Sequence, residues 1–217
     1  MTKYRAEEIS IALDKVTLQG LLTVPKDASG IVLFAHGSGS GRFSSRNQFV
    51  AQTLIEGGIA TLLVDLLTVE EEKIDEHTRE YRFDIQLLAT RLVDLTLWIK
   101  NYVKTKQLKV GYFGASTGAA AALIAGAKIP EHVSVIVSRG GRPDLARDAL
   151  PLVRTPTLLI VGGDDYDVIQ LNQQAYDSLL SFKKLEIIPG ATHLFEEEGT
   201  LDQVATLALH FFQQFLT

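Results

Sequence analysis

The chain has 217 residues, a length that one α/β unit routinely fills, so a single domain over residues 1–217 is expected. Hydrophobic residues make up 46% of it and charged residues 22%, which supplies an extended core and argues against disorder. The formal charge of -5, with no basic run, removes the electrostatic footprint of a nucleic-acid partner, and the absence of cysteine excludes disulfides, thiolate metal sites and a cysteine nucleophile.

The N-terminal "MTKYRAEEISIALDK" lacks an apolar core of signal-peptide length, and no segment reaches the run of uncharged apolar residues that a membrane span needs. A cytoplasmic protein with no membrane span is therefore expected. Next, "EISIALD" and "TLQGLLTVP" alternate in hydrophobicity across a short gap, which predicts an antiparallel hairpin at one sheet edge.

From there β-branched apolar runs take turns with helical patterns. "GIVLFAHG", "GIATLLVD", "LKVGYFG", "VSVIVSRGG" and "TPTLLIVGGDD" each close in a glycine or aspartate cluster, and a shorter "KLEIIPG" follows. Their continuous hydrophobicity predicts strands covered on both faces, hence a mostly parallel central sheet with helices on each side, an α/β class fold. Helices are expected over 46–56, 81–104, 117–128, 169–181 and 200–216. One insertion, "LLTVEEEKIDEHTREYR" at 66–82, is too long and charged for a tight connection and reads as a solvated helix start or a small lid over a pocket.

In an open parallel sheet, ligands bind outside the carboxyl ends of the strands, so the glycine and aspartate clusters share one rim. Ser116 stands there in Gly114-x-Ser116-x-Gly118, between a strand and a helix. Such a turn holds a serine in strained backbone with its hydroxyl exposed and the helix N-terminus aimed at the reacting centre. A hydroxyl needs a base, and the base an orienting acid. Of five histidines, only His193 in "IIPGATHLFEE" follows the serine and a later strand on a rim loop. Asp164, Asp165 and Asp167 all qualify by position as the acid. The order Ser, Asp, His is that of the α/β-hydrolases.

Four segments carry a wider likeness: "HGSGSG", "GYFGASTGAAAAL", "VGGDDYDV" and "GATHLF". On these, from about residue 31 to 216, the chain resembles the α/β-hydrolase superfamily and, within it, the dienelactone hydrolase-like family. The resemblance implies an α/β-hydrolase fold. Its Gly-x-x-Asp-x-x-Val turn falls on Gly162, Asp165 and Val168, which favours Asp165 as the acid. Dienelactone hydrolase itself uses a cysteine, where this chain has Ser116, so its substrate does not transfer with the fold.

The oxyanion hole is expected from the amide of Thr117, the residue after the nucleophile, and, by resemblance to the His-Gly loops of esterases, from that of Ser38 in "FAHGSGSGR". The rival use of that loop, cradling a dinucleotide phosphate, has the wrong glycine spacing: Gly37-x-Gly39-x-Gly41 in place of G-x-G-x-x-G. Together these residues predict a serine hydrolase that cleaves a carboxylic ester or lactone of a small molecule, with no metal or organic cofactor. The same machinery serves thioesterases and acyltransferases, and a non-catalytic binding protein on this fold is the alternative from another class. Arg139 and Arg142 in "SRGGRPDLAR", with Arg42 and Arg46 on the far side of the oxyanion loop, are candidates for binding a substrate carboxylate or for pairing with acids such as Asp144.

Overall fold

A computed structural model describes residues 4–216. Its centre is an eight-stranded sheet: β1 Glu7–Ala12, β2 Thr17–Thr23, β3 Gly30–Ala35, β4 Ala60–Val64, β5 Lys109–Ala115, β6 Val133–Arg139, β7 Thr157–Gly162 and β8 Lys183–Ile188, in the order β1-β2-β4-β3-β5-β6-β7-β8. β1 pairs antiparallel with β2, and β2 antiparallel with β4; every other pair is parallel. The expected hairpin thus forms the sheet edge, and its strands keep the alternation that a half-covered position imposes: Ile11 is buried while Glu7 and Glu8 are exposed.

β3, β4 and β7 are buried along their whole length, which requires cover on both faces. One layer is built from α1 Ser45–Glu56 and α6 Thr200–Leu216, whose Val50, Leu54, Ala208 and Phe212 pack with Val32, Phe34 and Phe113. The opposite layer contains α3 Ile85–Asn101, α4 Thr117–Lys128 and α5 Tyr166–Ser178, with Leu92, Leu95, Leu123 and Ala175 against Leu33, Tyr112 and Leu159. α4 owes its place at the centre to size: its first ten residues, from Thr117 to Gly126, are all buried, and its run of alanines lets the helix lie close to the strands.

Apart from shifted helix ends, such as α5 at Tyr166–Ser178 in place of 169–181 and α3 ending at Asn101 in place of 104, two elements differ from the sequence reading. The insertion 66–82 contains a complete helix, α2 Val69–Thr78, begun by a capping box in which Thr68 and Glu71 satisfy each other's backbone amides. It ends at Arg79 in left-handed backbone, and Asp75 gathers the amides of Tyr81 and Arg82 with the Arg82 guanidinium. This delays the next helix to Ile85, four residues beyond the expected start at 81. The other is a 3₁₀ segment, Pro143–Leu152, which the sequence reading did not anticipate. Its proline at the first turn, internal proline and positive φ at Arg147 break the 3.6-residue period that would have revealed it. Among the described residues no helix is long and apolar enough to cross a membrane.

Candidate active site

Ser116 sits between β5 and α4 with φ 50° and ψ -122°, a conformation that costs a non-glycine residue energy and is held by its surroundings. Its amide donates to the Arg139 carbonyl at 3.3 Å, and its carbonyl accepts from the Arg142 amide at 3.0 Å. The flanking glycines are there for space. A Cβ on Gly118 would lie 2.1 Å from the Ala35 carbonyl oxygen, and one on Gly114 would lie 2.5 Å from Ala119 Cα. The turn therefore fits against β3 and its own helix only without side chains at these two places.

His193 lies on the loop after β8. Thr192 steadies that loop by donating from its amide (3.0 Å) and hydroxyl (2.6 Å) to Glu197, whose carboxyl these bonds hold below its usual range. His193 Nδ1 donates to Asp165 Oδ2 at 2.7 Å. With that proton directed at the carboxylate, Nε2 is left as the acceptor. Asp165 caps the start of α5 and is half-buried, whereas Asp164 and Asp167 are exposed. A cavity of about 240 Å³ is lined by Ser116 and His193 together with Gly37, Ser38, Ser40 and the first turn of α1.

The loop 37–40 crosses beside Ser116. The Ser38 amide donates to Thr117 Oγ1 at 3.1 Å, which fastens the loop to the first residue of α4. His36 fastens it from below: Nδ1 donates to the Gly37 carbonyl at 2.9 Å, and Nε2 accepts from the Leu66 amide at 3.0 Å. Burial pushes the pKa of His36 down, which keeps the ring neutral and both bonds in place. The sequence reading, which keeps only His193 of the five histidines, gives His36 no role; a histidine directly before the glycine-rich loop is the available signal.

The four arginines separate. Arg142 is committed to Asp144 through Nε and Nη2 at 2.9 and 2.8 Å, and does not line the cavity of Ser116. Arg42 pairs with Asp65, which also accepts the Arg42 amide at 2.6 Å. Arg139 and Arg46 both line the Ser116 cavity, beside Asn47, a residue that no motif singled out. The insertion 66–82 borders a different cavity, also of about 240 Å³, on the other side of the loop 37–40, where Glu72, Asp75, Glu76 and Arg82 face His36 and Asp65.

No family model matches the sequence. A solved structure of dienelactone hydrolase from Anabaena variabilis is 56% identical, superposes with a TM-score of 0.98, and is matched over 99% of this chain and 100% of its own. Est1E from Butyrivibrio proteoclasticus shares the fold at 17% identity, with a TM-score of 0.79 over 95% of this chain and 98% of its own. Two Mycobacterium tuberculosis proteins named "Putative phosphoribosyl transferase" are 55% identical over 208 residues, which is 96% of this chain. The match spans 46% of each, so the chain has about half the length of these curated relatives. The identity and full mutual coverage with the Anabaena protein, on an eight-stranded sheet with the same superposed architecture, show that this chain belongs to the dienelactone hydrolase family of α/β-hydrolases.

Proposed function

We propose that the protein is a serine hydrolase of small-molecule carboxylic esters or lactones. The observation that carries this reading is the 2.7 Å bond from His193 to Asp165, with His193 sharing a cavity with a serine held at positive φ. Ser116 Oγ attacks the ester carbonyl while His193 Nε2 takes its proton. Asp165 holds the ring and stabilises the imidazolium. The proton then passes to the departing alkoxide, leaving an acyl-enzyme, and water repeats the sequence to release the acid. The oxyanion is received by the amide of Thr117 and by that of Ser38, which exchanges its bond to the Thr117 hydroxyl for one to the substrate oxygen.

Within this reading the segment 66–82 is a fixed wall rather than a moving lid. Its α2 is tied to α3 by the Arg91–Glu71 pair at 2.6 Å and to its own exit by Asp75 and Arg82. The transferase name of the Mycobacterium relatives belongs, on this proposal, to the part of those proteins outside the match, because a serine, aspartate and histidine in this chain order perform acyl chemistry. The test is labelling with a fluorophosphonate followed by peptide mapping, together with turnover of p-nitrophenyl esters of increasing chain length. Modification at Ser116 and turnover of at least one ester are expected; an inert Ser116 in folded protein rejects the reading.

A further inference from the structure

Arg139 is a buried cation without a counter-ion. It is 6% exposed, and among the described residues no carboxylate pairs with it. Its Nη2 donates to Asn47 Oδ1 at a long 3.3 Å, its Nε has no partner, and Phe195 presents its ring 5.9 Å away. An unpaired charge in such a place is costly unless an anion arrives to meet it. Burial, with the charge of Arg46 acting in the same direction, pushes the Arg139 pKa down to about 10, which leaves it fully charged near neutral pH.

Arg46 adds a second positive group to the same cavity. Its one acid, Glu196, is 3.2 Å away and 64% exposed, a surface pair of small worth, and its Nε has no partner. The first turn of α1 supplies the N-terminal end of a helix dipole, and Ser38, Ser40 and Ser44 line the cavity with hydroxyls. Two arginines lining one cavity, with only the exposed Glu196 beside them, exceed what a single carboxylate on a substrate neutralises. A tetrahedral dianion offers two charges and enough acceptor oxygens for the guanidinium forks.

We propose that Arg139 and Arg46 form an anion subsite beside Ser116 that selects esters carrying a phosphate monoester group. The subsite rests on the hydrolase reading for its purpose, but not for its existence. Because Ser116 and Arg139 line one cavity of about 240 Å³, the phosphate and the scissile carbonyl sit within a few bonds of each other in the substrate.

Binding is measured first, by calorimetry at about pH 7.5, with inorganic phosphate and with acetate on the full chain. Phosphate is expected to bind wild-type protein at least roughly tenfold more tightly than acetate, and Arg139→Gln and Arg46→Ala are each expected to weaken phosphate by about 30-fold or more. Arg46 is partly exposed, so its variant keeps the test decisive even if Arg139→Gln fails to fold. Acetate binding as tightly as phosphate, no phosphate binding, or undiminished binding in folded Arg46→Ala would each overturn the proposal. These readouts need no turnover, so they stand apart from fluorophosphonate labelling, which tests the hydrolase reading alone. Where both hold, phosphate is expected to inhibit p-nitrophenyl acetate hydrolysis competitively in wild type and at least roughly tenfold more weakly in Arg46→Ala; non-competitive inhibition would place the anion elsewhere and overturn it.

Discussion

His193 and Asp165 are 28 positions apart, yet Nδ1 of one donates to Oδ2 of the other at 2.7 Å. The bond depends on how the two loops that follow neighbouring strands pack. The Asp164 amide donates to the Ala191 carbonyl at 2.9 Å, and a Cβ on Gly162 would lie 2.3 Å from that same oxygen. The β7 exit and the histidine loop are thereby pressed together.

If the three residues act as one unit, Ser116→Ala and His193→Ala each lower kcat for a p-nitrophenyl ester by about 10⁶, and the double variant is hardly worse than either. Steady-state rates on the three proteins check this. Additive losses would mean that the two side chains act separately.

Asp165→Asn is expected to lower kcat by roughly 10⁴, since an amide favours the wrong imidazole tautomer. Asp164→Asn and Asp167→Asn, at exposed positions, are expected to stay near wild type. The ranking of the three variants is the measurement, and a larger loss at Asp164 than at Asp165 contradicts the geometry.

Gly118→Ala is expected to destabilise the fold by about 3 kcal/mol or more. The added Cβ meets the Ala35 carbonyl at 2.1 Å and the His36 carbonyl at 2.6 Å, both backbone atoms that no rotamer change can move. A urea titration reads the shift in midpoint, and an unchanged midpoint would show that β3 yields more easily than its burial suggests.

His36 makes a signed prediction for pH. Burial holds its folded pKa below that of the unfolded chain, so the unfolded state binds a proton first as the pH falls. The contribution is present above the unfolded value of about 6.5 and is lost as the pH drops below it, until the folded ring also protonates. His36→Gln should therefore flatten the decline of Tm below about pH 6.5, while losing stability at neutral pH. Asp75 acts lower on the scale. Burial alone would raise its pKa, but hydrogen bonds from Arg82 and Tyr81 prevail and lower it, so its contribution is lost only as the pH falls through the carboxylate range. Parallel pH profiles for wild type and His36→Gln would contradict the assignment.

Arg142→Ala is expected to cost less than about 1 kcal/mol and to affect neutral and anionic esters alike, because the side chain is spent on Asp144 at the surface. A selective loss on the anionic ester would return Arg142 to the substrate site.

Much of this was legible in the sequence because it is local. Unbroken apolar runs identify strands covered on both faces, and the strand, Gly114-x-Ser116-x-Gly118 and alanine-rich helix follow one another without a gap, so the serine turn is written in consecutive residues. Position alone left Asp164, Asp165 and Asp167 equivalent. The resemblance favoured Asp165, and loop packing brought that carboxylate to His193. The arginines show the limit most clearly. Arg139 and Arg142 are three residues apart in one basic run, but the backbone turns between them: one side chain enters the Ser116 cavity beside Arg46 and the other swings out to Asp144. Which charge is buried unpaired and which is neutralised at the surface depends on partners far away in the chain. Only the tertiary structure decides it, because the cost of a charge is set by what surrounds it and not by its neighbours in sequence.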